Sequence, residues 1–381
     1  MTVLSDRVRA VMESHWQPEG YTVPNAVTYP FRWLWDSCFH ALVWAELGEP
    51  ERAVSELAHV LQAQDDRGFV PHIDYGREPS HHEWFWGRSG SSTITQPPMY
   101  GHAVAALRRR GIDVGDDLVE RARAGIQFFL RERRHPSGLV AVMHPWETGC
   151  DDSPRFDHWG AGDPKRWYDV KGALVAALPD NGFDCAPVSL SALVAWNGRE
   201  LDLDTADLVD AIAARWDREQ CTWIDGGESE NTSGRVRTLE ALLPLLVVEQ
   251  PDALAAITDS AAFGGAFGPA GVHRAEPAFD RRRYWRGPVW PQLAYLLWLS
   301  GAPVAETTVR GAETSGLSEF WDPDDGTGLG ASPQSWTCLA VVMSHNAADT
   351  RGSAGSTGAG SSGSNTSNVG APWPPERPRR P

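Results

Sequence analysis

Residues 311–343 read GAETSGLSEFWDPDDGTGLGASPQSWTCLAVVM. A helical pattern stops at Gly316, and an apolar helical pattern resumes near Ser335. Between them lies a loop rich in glycine and aspartate. Glu319 sits at the start of that loop, beside Phe320 and Trp321. Aromatic walls lower the local dielectric and hold a carboxyl group near working pH, and an open loop leaves room for a substrate. Taken alone, Glu319 reads equally well as a solvated helix end.

The same plan of helix, long loop and helix repeats along the chain. Apolar residues recur at i, i+3, i+4 and i+7. Short turns with Gly, Pro or Asp punctuation join helices in pairs: LGEPE from residue 47, RGIDVGDD from 110, GRELDLDTAD from 198, EQPDA from 249 and SGAPVAE from 300. Much longer aromatic and glycine-rich connections, at 65–98, 135–160, 217–234, 264–288 and 318–333, separate the pairs. The spacing predicts hairpins at 36–64, 97–134, 187–217, 236–261 and 289–315. A sixth forms if 335–345 pairs with 4–16. Hairpins stacked in a closed ring put every short turn on one end and every long loop on the other. An all-α, two-layer toroid is therefore expected, with functional residues gathered at the long-loop end; a helical solenoid is the open alternative. Residues 347–381 are Gly/Ser/Thr-rich and then Pro/Arg-rich, and are expected to be a disordered tail beyond a catalytic domain at 1–346.

Composition narrows the class. The 381 residues are 41% hydrophobic and 22% charged, ordinary for a soluble globular enzyme with a large core in one or two domains. A net charge of −16 argues against nucleic acid as a partner. Five scattered cysteines, Cys38, Cys150, Cys185, Cys221 and Cys338, form neither a CxxC pair nor a disulfide framework. No apolar run approaches the ~20 residues of a membrane span. The first residues look like a charged amphipathic helix and not a signal peptide, so a cytoplasmic protein is expected.

Tryptophan is the outlier, with 18 copies. Twelve fall in loops or at helix starts by the reading above: Trp33, Trp35, Trp84, Trp86, Trp146, Trp159, Trp167, Trp223, Trp285, Trp290, Trp321 and Trp336. Flat apolar rings with a polar N–H at the edge suit the faces of sugars, although loop tryptophans also seal loops onto a core.

A second acidic cluster, GCDDSPRFD at 149–157, lies in the long loop between Trp146 and Trp159. Its aspartates suit plain turn chemistry, or magnesium as in terpenoid-cyclase-like barrels. They also suit glycoside hydrolysis, which needs two carboxyl groups on one rim. No second acidic cluster stands at ligand spacing, and His40, His81, His82, His102 and His158 show no metal pattern, so neither metal nor cofactor is expected.

Five segments in order then resemble family 63 glycoside hydrolases, the group holding mannosylglycerate and glucosylglycerate hydrolases and processing α-glucosidases. They are WLWDSCFHAL at 33–42, TQPPMYGHA at 95–103, TGCDDSPRFD at 148–157, RYWRGPVW at 283–290 and SEFWDPDDGTGLGASPQSWT at 318–337. The resemblance implies an (α/α)6 barrel and an inverting α-glycosidase acting on a small gluco- or manno-configured substrate. It implies Asp151 as general acid and Glu319 as general base, ~6.5–9.5 Å apart to admit a water. Asp36 matches a sugar-binding aspartate after Trp35, and also reads as the N-cap of a helix at 37–47. Gln96, Tyr284, Arg286, Trp290 and Gln334 match further pocket positions; Arg286 reads equally as a structural partner of a buried carboxylate.

There are departures. Asp152 stands where asparagine is common, placing a second charge beside the acid. Gln334 stands where an aromatic is usual. Arg155, Arg166 and Lys171 are the candidates for holding an anionic aglycone. A trehalase- or glucoamylase-like activity and a sugar-binding barrel without catalysis remain the competing readings.

Overall fold

The structure, a computed structural model, describes residues 3–160 and 183–345. Arg166, Trp167, Lys171 and the expected tail lie outside the described residues.

The six expected pairs are present. Helix Leu34–Glu46 pairs with Pro50–Gln62, Tyr100–Arg109 with Asp116–Glu132, and Val188–Glu200 with Ala206–Ala213. Pro291–Leu299 pairs with Ala305–Thr314. In the fourth pair the inner member is a 3-10 helix, Glu240–Leu246, followed by a short α-helix, Pro251–Ala256. Pro244 explains the difference, because it lies inside that helix and its ring removes one N–H donor from an α ladder. The sixth pair joins the two ends of the described chain. Helix Val3–His15 packs on the 3-10 turn Ser335–Cys338, which continues as α-helix over 339–345.

Burial divides the pairs into two layers. Leu34 to Trp44 is buried at every position, as are Tyr100 to Leu107, Val188 to Ala195 and Pro291 to Leu297. Their partners bury one stripe only. Pro50–Gln62 hides Ala53, Glu56, Leu57, Val60 and Leu61, the i, i+3, i+4, i+7 pattern of a helix with one wet face. The fully buried segments form an inner ring. Leu34–Glu46 touches Tyr100–Arg109, which touches Val188–Glu200, then Glu240–Leu246, Pro291–Leu299 and Ser335–Cys338, which returns to Leu34–Glu46. The molecule is an (α/α)6 barrel, closed by contacts between the first and last helices.

Inner helices start from the long-loop end and leave by short turns. The long loops therefore share one end, where two-residue antiparallel strand pairs tie them together. Arg32–Trp33 pairs with Ile73–Asp74, and Phe320–Trp321 pairs with Gly328–Leu329. A single bridge joins Val289 to Trp321 across two different loops.

Candidate active site

A cavity of about 370 Å³, mouth included, opens at the long-loop end. Among its walls are Trp35, Asp36, Gln96, Asp151, Tyr284, Glu319 and Gln334, all singled out from sequence. Residues remote along the chain thus meet in one concavity.

Glu319 is 3% exposed. Its loop folds back on itself: the Glu319 N–H donates to the Ala331 carbonyl at 2.8 Å, and the Ala331 N–H donates to Glu319 Oε2 at 2.8 Å. Tyr29 Oη donates to Oε1 at 3.0 Å, and Trp336 Nε1 donates to the Glu319 carbonyl at 2.9 Å. Burial pushes the Glu319 carboxyl above the usual range; the Ala331 N–H and the Tyr29 hydroxyl oppose this, and the Asp151 charge adds to it. Gly330 makes the fold-back possible. Its φ is +71°, and a Cβ there would stand 2.4 Å from Glu319 Oε2.

Asp151 follows a second glycine of the same kind. Gly149 has φ +72°, and a Cβ there would meet the Trp35 ring at 2.6 Å. The loop therefore lies flat against the cavity floor. Tyr284 Oη reaches Asp151 Oδ2 at 3.4 Å. Beyond Asp151 the loop is bolted to the barrel. Ser153 Oγ donates to Glu240 on the inner ring. Arg155 donates to Asp225 Oδ2 at 2.8 Å, the Val236 carbonyl at 2.6 Å and the Trp223 carbonyl at 3.0 Å.

Asp36 lies in the first turn of Leu34–Glu46, whose N-cap is Trp33. The helix begins earlier than the sequence suggested, so Asp36 is not its cap. It is 2% exposed, and burial, with the Glu319 and Asp151 charges behind it, holds its carboxyl well above the usual range. Its Oδ1 has no protein partner, nor has Gln334 Oε1 or Trp33 Nε1. Buried polar atoms without partners are costly, and three on one cavity wall suit a ligand rich in hydroxyl groups.

Other expectations are corrected. Arg286 does not line the cavity. It donates to both Asp157 oxygens at 2.7 Å and to Asp152 at 3.3 and 3.4 Å, the structural pairing that the sequence left open. Asp152 is thereby paired with a guanidinium and does not act as a bare charge beside Asp151. Trp290 stands one layer back, stacked on the cavity-lining Trp285 at 3.6 Å between ring centroids. Arg155 directs its donors into the fold and is not placed to hold an aglycone.

Tyr29, Trp33, Trp285 and Trp336 line the cavity and were not individually assigned to it from sequence. Tyr29 could have been suspected only from knowing that its loop covers the loop of Glu319. Of the loop tryptophans, Trp86 and Trp146 build a second apolar cluster with Ile73, Tyr75 and Ile94, while Trp84 is 82% exposed. Among the described residues no three His, Cys, Asp or Glu side chains gather as metal ligands, and no helix is long and apolar enough to cross a membrane.

Comparison with known proteins agrees with the geometry. The family model of a mannosylglycerate hydrolase MGH1-like glycoside hydrolase domain matches residues 29–337. A mannosylglycerate hydrolase from Rubrobacter radiotolerans is 27% identical over 425 residues, covering 88% of this chain and 95% of the relative. A glucosylglycerate hydrolase from Mycolicibacterium hassiacum is 25% identical, over 84% of this chain and 93% of its own. The crystal structure of a GH63 mannosylglycerate hydrolase from Thermus thermophilus in complex with glucose superposes with a TM-score of 0.77 at 26% identity. That match covers 90% of this chain and all of the other.

Proposed function

The chain belongs to the mannosylglycerate hydrolase MGH1-like glycoside hydrolases, and from that premise we propose that it cleaves a gluco- or manno-configured α-glycoside of glycerate with inversion of the anomeric centre. The observation that carries this is the meeting of Asp151 and Glu319, from separate loops, on the walls of one small cavity.

Glu319 has the surroundings of a general base. Both its oxygens are oriented by N–H or O–H donors, which stabilise the ionised form and fix its lone pairs. It would take a proton from the attacking water. Asp151 would donate a proton to the glycosidic oxygen from the other face. Asp36, Gln96 and Gln334 would hold the sugar hydroxyls, with Trp33, Trp35, Trp285 and Trp336 against the ring faces. All five cysteines are free, and four are buried, which supports a reducing cytoplasm as the site of action.

Asp151→Asn and Glu319→Gln should each lower kcat by about 100-fold or more with the thermal transition little changed. Either variant retaining near wild-type rate removes that residue's role. The substrate class is tested separately with glucosylglycerate, mannosylglycerate, trehalose and the neutral glycosylglycerols, reading the product anomer by NMR. Equal rates on the neutral glycerol analogues would count against glycerate as the aglycone, and a retained anomer would count against inversion.

A further inference from the structure

Given Asp151 as acid and Glu319 as base, on which this rests, we infer that Arg282 and Arg286 are positioning residues. They are the two ends of one strut that sets the spacing between the carboxylates. The segment 280–290 touches both functional loops and belongs to neither. At one end, Arg286 grips Asp152 and Asp157, one and six residues after Asp151. At the other, Arg282 donates to Asp322 Oδ2 at 2.8 Å and Asp325 Oδ2 at 2.7 Å, three and six residues after Glu319. Arg281 adds a further pair with Asp322 at 3.2 Å.

The strut is stiff between its ends. The Asp280 N–H donates to the Arg286 carbonyl at 2.9 Å, closing the segment into a loop. Val289 and Trp321 exchange backbone hydrogen bonds at 2.8 and 3.3 Å. Tyr284, midway, reaches Asp151 Oδ2 and lays its ring edge-on against Phe320, the neighbour of Glu319. Trp285 is held at φ +54°, a left-handed conformation that persists in a non-glycine residue only when its surroundings impose it. Arg286 is buried, so its end is less screened than a surface pair, whereas Arg282 is exposed and only its partner Asp322 is buried. A fork that makes four N–H···O contacts with two carboxylates fixes direction as well as distance.

Misplacing a reacting group by about 1 Å costs on the order of 100-fold in rate. The two ends of the strut should therefore fail differently. An α-glycosyl fluoride of the accepted sugar distinguishes them, because fluoride departs without needing a proton from the acid. The test compares Arg286→Lys, Arg282→Gln and Asp151→Asn on the glycoside and on the fluoride. Arg286→Lys should lose about 10- to 100-fold in kcat on the glycoside with KM little changed, and much less on the fluoride, the pattern also expected of Asp151→Asn. Arg282→Gln should lose in equal proportion on both, with the acidic limb of its pH profile displaced. If Arg286→Lys does not fold, Asp157→Asn loosens the same end and must show the same sparing of the fluoride. Equal losses on both substrates at both ends would make the arginines merely structural and overturn the proposal, as would no loss at all. Should Asp151→Asn hydrolyse the glycoside at full rate, the acid assignment has failed and the strut falls with it.

Discussion

Tyr29 and Glu319 show how a single hydroxyl settles the working state of a base. Burial favours the neutral acid, and the Tyr29 O–H favours the carboxylate. Tyr29→Phe removes one of the two opposing hydrogen bonds, so the Glu319 carboxyl should rise further. A general base works only when ionised, so the acidic limb of kcat/KM should move to higher pH. On that limb, where the rate follows the ionised fraction, it should fall about tenfold, the worth of one hydrogen bond to a charged group. A pH profile of the variant superimposable on wild type would show that Tyr29 does not act on the base. At this scale the sequence was most legible where chemistry is local. Glu319 could be picked out because its own neighbours are Phe320 and Trp321. Arg286 could not be decided, because its partners Asp152 and Asp157 lie more than a hundred residues earlier. Tyr29 was missed for the same reason, since its partner is 290 residues away.

Among the elements, an inner helix and an outer helix are different objects. Val188 to Ala195 has no wet face, whereas Ala206–Ala213 buries only Leu208 and Ile212. Leu193 is 1% exposed, so Leu193→Ala should destabilise the fold by roughly 2–5 kcal/mol, through lost transfer energy and the cavity left behind. Chemical denaturation would read this directly; a loss below about 1 kcal/mol would mean that the inner ring collapses around the gap. The turns and the 3.6-residue period made the pairs readable in advance, because both are local. The 3-10 form of Glu240–Leu246 was not foreseen, although Pro244 was in view. A proline announces a break in an α ladder without saying what replaces it. The short strands were also unforeseen. Two-residue ladders carry no periodic signal, and each depends on a partner in another part of a loop.

For the molecule as a whole, buried histidines should contribute to the acid limit of stability. Burial, with the neighbouring His144, pushes His72 down to about 3, and burial with His40 pushes His15 down to about 4. Both stay neutral in the folded barrel while the unfolded chain takes up protons below about 6.5. Their stabilising effect is thus complete above pH 6.5 and is lost as pH falls toward 3–4, at about 1.36 kcal/mol for each pH unit by which the group is lowered. Melting temperatures should fall steadily from about pH 6.5 to about 4, and His72→Gln should flatten part of that slope; an unchanged slope would assign the acid limit elsewhere. The barrel's closure has one more consequence. Val3–His15 is translated well before its seat on Ser335–Cys338. Until that seat has been made, the ring lacks its last member and Val3–His15 has no berth. Glu319 arrives just ahead of that seat, so a copy made only as far as the preceding helix lacks one of the two carboxylates.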